Sequence, residues 1–128
     1  MSRMEVVTME YKLGEIEMKF ADLIWDNEPL SSGELAKLSE KALNWKKSTT
    51  YTILRRICDR GLFRNENGVV TSCVTKMEFL SKQSEQFVED TFQGSLPRFL
   101  TAFTTGRRLS DKDVEELKRI IEENGRES

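Results

Sequence analysis

A mainly α-helical fold, with three helices and a β-hairpin followed by three further helices, is predicted by three observations. Apolar residues recur at helical spacing in Leu13, Ile16, Phe20, Leu23 and Ile24, and again in Ile53, Leu54 and Ile57. Asn67-Gly68 stands between two β-prone runs, where both turn residues tolerate positive φ, a strong hairpin signal. From Thr75 the helical spacing returns, interrupted at Gly94 and Gly106.

At 128 residues the chain has room for one compact domain and a small extension. Its net charge is −2, but the charge is unevenly spread. Positions 45–64 hold six Lys/Arg (46, 47, 55, 56, 60 and 64) against one acid, Asp59, whereas 75–128 hold nine against eleven. A local positive patch on a near-neutral background suits a polyanionic partner, because steering acts through local potential. There is no histidine, and the only cysteines are Cys58 and Cys73. That composition excludes a single-chain zinc cluster and any His-dependent triad, and no phosphate-binding glycine loop is present. No catalytic residue, metal or cofactor is therefore expected. The cysteines are read as free, buried thiols of a reducing cytoplasm. No apolar run approaches transmembrane length and the N-terminus lacks a signal-peptide core, so a cytoplasmic location is expected.

Residues 1–9 show no period and are expected to fray or drape over the domain. The first helix is predicted over 10–25, ending on Trp25 as a core anchor. Pro29-Leu30 leads into Ser31-Ser32-Gly33-Glu34-Leu35. Ser31 can cap the helix start while Glu34 reaches back, and Leu30 can staple to Leu35. The second helix is predicted to run to about Ser39 with Leu35, Ala36 and Leu38 inward. A connection over 40–44 follows, so two short helices with a tight join give helix-turn-helix organisation.

The third helix spans 45–60. At 100° per residue, Thr50, Ile53, Leu54 and Ile57 fall on one side, and Ser48, Tyr51, Thr52 and Arg55 on the other. Lys46 and Lys47 stand at its entrance, and Gly61 suits the left-handed position after its end. A polar, basic helix face is most often simply solvated. The neighbouring elements turn the reading toward a DNA-recognition helix. In it Lys46 and Lys47 contact phosphates, Ser48, Thr49 and Thr52 read bases, and Tyr51 and Arg55 support either role. Beyond Gly61, the runs 62–64 and 69–74 flank the Asn-Gly turn as a two-stranded hairpin. Helix, helix, recognition helix and hairpin in that order make a winged helix-turn-helix domain, assigned to residues 1–74.

The next helix carries Met77, Leu80, Phe87, Val88 and Phe92 as an intermittent stripe. Ser95 can cap a short helix with Leu96, Phe99, Leu100 and Phe103 on one face, and Pro97 is tolerated in its first turn. Ser110 caps the last helix, Asp111 and Asp113 favour its dipole, and Leu109 can staple to Val114. That helix is expected to bury Val114, Leu117, Ile120 and Ile121. Some 50 positions are too few to cover such a core alone. The apolar faces of 75–128 are therefore expected to pack on a second copy, the alternative being packing back on the winged helix. A homodimer would pair recognition helices with half-sites about one helical turn apart.

Nearly the whole chain resembles the penicillinase-repressor family of winged-helix transcriptional repressors, which also includes copper-responsive members. Three stretches carry the resemblance: Glu15-Ile16-Glu17-Met18 through Leu23-Ile24-Trp25; Trp45, Thr49, Thr52, Leu54, Arg56 and Ile57; and Leu109-Ser110 with the acidic helix after it. The resemblance implies a homodimeric repressor of a palindromic operator, with Ser48, Thr49 and Thr52 in the base-reading segment. It also implies inactivation by a membrane sensor protease that cuts in the dimerisation region, at a position matching Ala102 and Phe103. Four departures are visible. Ser48 replaces a frequent lysine, which implies a different operator preference. Val69-Val70 follow Gly68 where the family commonly has arginine and an aromatic, implying a weaker wing contact. Ala102 replaces the asparagine of the usual cleavage pair. The cysteine-rich tail of copper-responsive members is absent, which argues against copper sensing. The competing reading is a winged-helix module that presents the same face to an acidic protein partner, without specific DNA readout.

Overall fold

Local capping chemistry sets most of the element boundaries in the computed structural model, which describes residues 11–125; the expectation for residues 1–9 lies outside them. The order is α1 (Glu15–Asn27), β1 (Leu30–Ser31), α2 (Ser32–Leu43), α3 (Lys47–Asp59), β2 (Phe63–Glu66), β3 (Val69–Ser72), α4 (Lys76–Phe92), α5 (Leu96–Thr105) and α6 (Asp111–Asn124). The chain divides into two compact units between Gln86 and Phe87, within α4.

In the first unit, α1 begins at Glu15 rather than near residue 10. The Gly14 N–H donates to the Glu17 carboxylate at 3.1 Å, half of a capping box that fixes the start. Ile16 consequently sits in the first turn, beyond the core edge, and is 51% exposed instead of inward. Phe20, Ala21 and Ile24 carry the buried face. The α2 start forms as expected: Ser31 Oγ accepts from the Glu34 N–H and the Glu34 carboxylate accepts from the Ser31 N–H, both at 3.0 Å. Leu30 and Leu35 are both buried in the core cluster.

The end of α2 lies beyond the expected Ser39. Glu40–Leu43 are helical, and Asn44 closes the helix in a left-handed conformation (φ 59°) with its N–H on the Glu40 carbonyl at 3.0 Å. Asparagine tolerates that conformation better than most residues, so it serves where glycine is usual. The join to α3 is thus only Asn44-Trp45-Lys46. Trp45 packs on Phe20 (ring centroids 5.1 Å apart), tying the turn to α1.

Gly61 follows α3 at φ 84°, and Asn67 and Gly68 turn the hairpin at φ 54° and 82°. The sheet has three strands, not two. Its order is β1-β3-β2, with Leu30↔Val70 and Ser31↔Val69 added to the hairpin register. A two-residue strand is too short to show a period of two. The Ser32 N–H also donates to the Gly68 carbonyl at 2.8 Å, so the turn of the wing is anchored to the start of α2.

The core of this unit gathers Phe20, Ile24, Leu35, Leu54, Ile57, Leu62, Phe63, Val70 and Phe79. Each fully buried large side chain contributes roughly 1.5–3 kcal/mol. Trp25 lies between Phe63 and Phe79 (5.2 and 5.7 Å) and donates its indole N–H to the Val74 carbonyl at 3.0 Å. The anchoring residue of α4 is Phe79, fully buried, whereas Met77 is 73% exposed. The two lie about 200° apart around the helix, so only one can face the core. Both cysteines are free; Cys58 is half-buried, but Cys73 is exposed at the end of the sheet, contrary to the expected burial.

In the second unit, Gln93 (φ 52°) and Gly94 (φ 79°) end α4. Ser95 then caps α5 through the Arg98 N–H at 3.2 Å, and Ser110 caps α6 through the Asp113 N–H at 3.0 Å. Phe87, Phe92 and Phe99 meet edge-on, with centroids 5.6–6.1 Å apart. No residue of α5 or α6 is fully buried within the chain. Ile120 and Ile121 are 53% and 54% exposed instead of covered, because three short helices cannot enclose them.

Candidate nucleic-acid interface

The buried side of α3 is Thr50, Leu54 and Ile57, with Ile53 packed partly against the same core. This face fixes the helix rotation. It turns Ser48, Thr49, Tyr51, Thr52 and Arg55 outward, and all five are exposed. Six of the expected contact residues thus lie on or beside one outward surface when Lys47 is included, and Lys46 stands at the helix entrance as the N-cap.

No side chain caps that entrance and no acid occupies the first turn of α3. The first-turn amides and the positive end of the helix dipole therefore adjoin the two lysines in sequence, a combination that suits an anion. Thr52 departs from a simple reading. Its hydroxyl donates to the Ser48 carbonyl at 3.0 Å, back along its own helix. What it presents outward is a hydroxyl acceptor and a methyl group, which match a base amino group or a thymine methyl.

The basic residues of 45–64 divide into two sets. Arg60 donates to Glu17 at 3.1 Å and to the Lys12 carbonyl at 3.0 Å, and Arg56 stands 4.0 Å from Glu17. These two arginines fasten the end of α3 to α1. Burial raises the Glu17 pKa, but the Gly14 N–H and the charges of Arg60 and Arg56 outweigh it and hold the carboxyl below its usual value. Arg64 lies 3.9 Å from Glu66 on the wing. Among the described residues, no ion pair engages Lys46, Lys47 or Arg55, so within 45–64 these three carry positive charge without an acidic partner.

Between α3 and β2 the surface sinks into a depression of ≈ 280 Å³ lined by Tyr51, Leu54, Arg55, Cys58 and Asn65. Burial, then the neighbouring Cys73 and Asp59, push the Cys58 thiol up to about 11, so the floor stays uncharged at neutral pH. Asn65 was not among the residues expected to act. Phe63 is core-facing and Asn65 lies two residues on, so alternation turns a polar side chain toward the helix layer. The wing turn itself carries Asn67 and Gly68, followed by Val69, which is 47% exposed.

On α5, Ala102 and Phe103 are both exposed. Phe103 rests 6.1 Å from Phe99 with the Arg107 guanidinium 5.7 Å over its ring. Among the described residues no group of His, Cys, Asp or Glu could hold a metal, and no helix is long and apolar enough to cross a membrane.

A family model described as penicillinase repressor matches residues 13–123. A penicillinase repressor of Bacillus licheniformis is 24% identical over 117 residues, covering 88% of this chain and 91% of that protein.

Proposed function

The chain belongs to the penicillinase-repressor family, a family of transcriptional repressors, and from that premise we propose that it is a homodimer that represses transcription by binding a palindromic operator. The observation that carries this reading is the outward face of α3. One side of the helix is buried, and the other offers hydroxyls, an aromatic ring and unpaired positive charge. In this reading Lys46 and Lys47 hold phosphates, Ser48, Thr49 and Thr52 read base edges, and Tyr51 and Arg55 support them. Residues 1–74 carry DNA binding. Residues 75–128 carry dimerisation, which would cover the apolar faces of α5 and α6 left open within one chain. Relief of repression would follow from cleavage near Ala102–Phe103 by a membrane sensor protease, or from another signal acting on the dimerisation region.

The two kinds of contact separate experimentally. Lys47→Ala should weaken binding to all duplexes and lower the slope of log affinity against log salt by about one per chain. Thr52→Ala should cost roughly 1–3 kcal/mol on the preferred sequence and little on random duplex. Operator titrations over a range of salt would check both. Unchanged affinity in both variants would sink the assignment of α3 and favour the protein-interaction module.

A further inference from the structure

We propose that Asn65, on the wing strand β2, is a further DNA-contacting residue, and that with Tyr51 and Arg55 it forms a seat for one phosphate of the DNA backbone. The inference rests on the DNA-binding reading of α3 and extends that surface onto a second element.

The register places Asn65 opposite Val70 and Phe63 opposite Ser72. Cross-strand partners share a sheet face, and so do residues two apart on one strand. Asn65 therefore lies on the face of Phe63 and Val70, which are 2% and 0% exposed. That is the face toward the helices, where an apolar residue would be usual. Asn65 is nonetheless exposed, because its position opens into the depression beside α3 rather than into the core.

The lining suits an anion. Arg55 supplies a guanidinium with no ion pair among the described residues, and Tyr51 and Asn65 supply a phenolic hydroxyl and an amide, both neutral donors. Leu54 and Cys58 complete the lining and, with the thiol protonated at neutral pH, carry no charge. Among the described residues no carboxylate lines the depression. A bridging site at the junction of recognition helix and wing would fix the angle at which α3 enters the groove, as phosphate contacts generally set register. It also gives the wing a contact that does not depend on its Asn67-Gly68 turn, which carries no charge.

The experiment uses the full chain with Asn65→Ala, Asn65→Asp, Arg55→Ala, Lys47→Ala and Thr52→Ala, each checked for an unchanged thermal transition. Affinity is measured on a selected operator and on random duplex, with phosphate-ethylation interference on the operator. Asn65→Asp should weaken both duplexes by about tenfold or more, because a carboxylate then faces a phosphate. Arg55→Ala should lower the salt slope by about one per chain. Both Asn65→Ala and Arg55→Ala should lose interference at the same phosphate of each half-site. If the Asn65 variants bind like the unmodified chain while Lys47→Ala and Thr52→Ala weaken binding, the seat is wrong and the reading of α3 stands. A loss confined to the operator makes Asn65 a base contact and also overturns the seat. If the unmodified chain binds no duplex, both readings fall together.

Discussion

Glu17 illustrates what single residues contribute here. Its carboxylate joins Gly14, Arg60 and Arg56 and so couples the start of α1 to the end of α3, the proposed recognition helix. Because its pKa is lowered in the folded chain, the stability it contributes is present above the ordinary carboxylate range of about 4.3. That contribution is lost as pH falls through the lower folded value. Glu17→Gln should therefore melt below the unmodified chain at pH 7, and the gap should narrow as the pH falls below the ordinary carboxylate value. Thermal melts across that range check it; a gap constant with pH would assign the loss to packing instead. The outward placement of Ser48, Tyr51, Thr52 and Arg55 was legible in the sequence, because helical period and a buried stripe fix it. The roles of Glu17, Arg56 and Arg60 were not, since the Arg60–Glu17 contact joins residues 43 apart. Asn65 was hidden for the same reason: its facing depends on strand register, which composition does not reveal.

Elements marked by a serine cap or an Asn-Gly pair were read well; the Gly14–Glu17 start of α1 and the left-handed Asn44 end of α2, though equally local, were not, and neither were elements fixed by tertiary contact. The Ser31–Glu34 box, the Asn67-Gly68 turn and the Ser95 and Ser110 caps each involve residues within a few positions of one another. Strand β1 exists only because Leu30 and Ser31 meet β3 some 40 residues later, and Phe79 anchors α4 only because Trp25 and Tyr11 meet it. Helix α5 carries a functional prediction of its own. Ala102 and Phe103 are in its second half, in helical conformation, so a protease would have to unwind the helix locally before cutting. A chain ending at Ala102 mimics the cut product and lacks α6. It should run as a monomer by light scattering and bind the operator about 100-fold more weakly or worse, through lost avidity. A dimer with full affinity would remove this mechanism of relief.

At the scale of the whole molecule, the two units differ in how completely they satisfy themselves. The first encloses a continuous core of thirteen buried apolar residues, enough to hold α3 at a fixed rotation without help. The second leaves Phe87, Leu96, Phe103, Ile120 and Ile121 between 43% and 56% exposed, and a groove of ≈ 260 Å³ runs between α5 and α6. That groove is lined by Phe99, Phe103, Leu117 and Ile120 with Asp113 and Glu116 at its side. Exposed aliphatic and aromatic surface of this kind is costly in water and is relieved by a partner. In the proposed dimer a second copy would be that partner, and it would also give DNA recognition its symmetry, since paired α3 helices would address two half-sites. The most direct measurement is selection of bound sequences from random duplex DNA, with the mass of the complex determined by light scattering. The account predicts an enriched palindrome occupied by two chains; a well-folded dimer that enriches no sequence would contradict it.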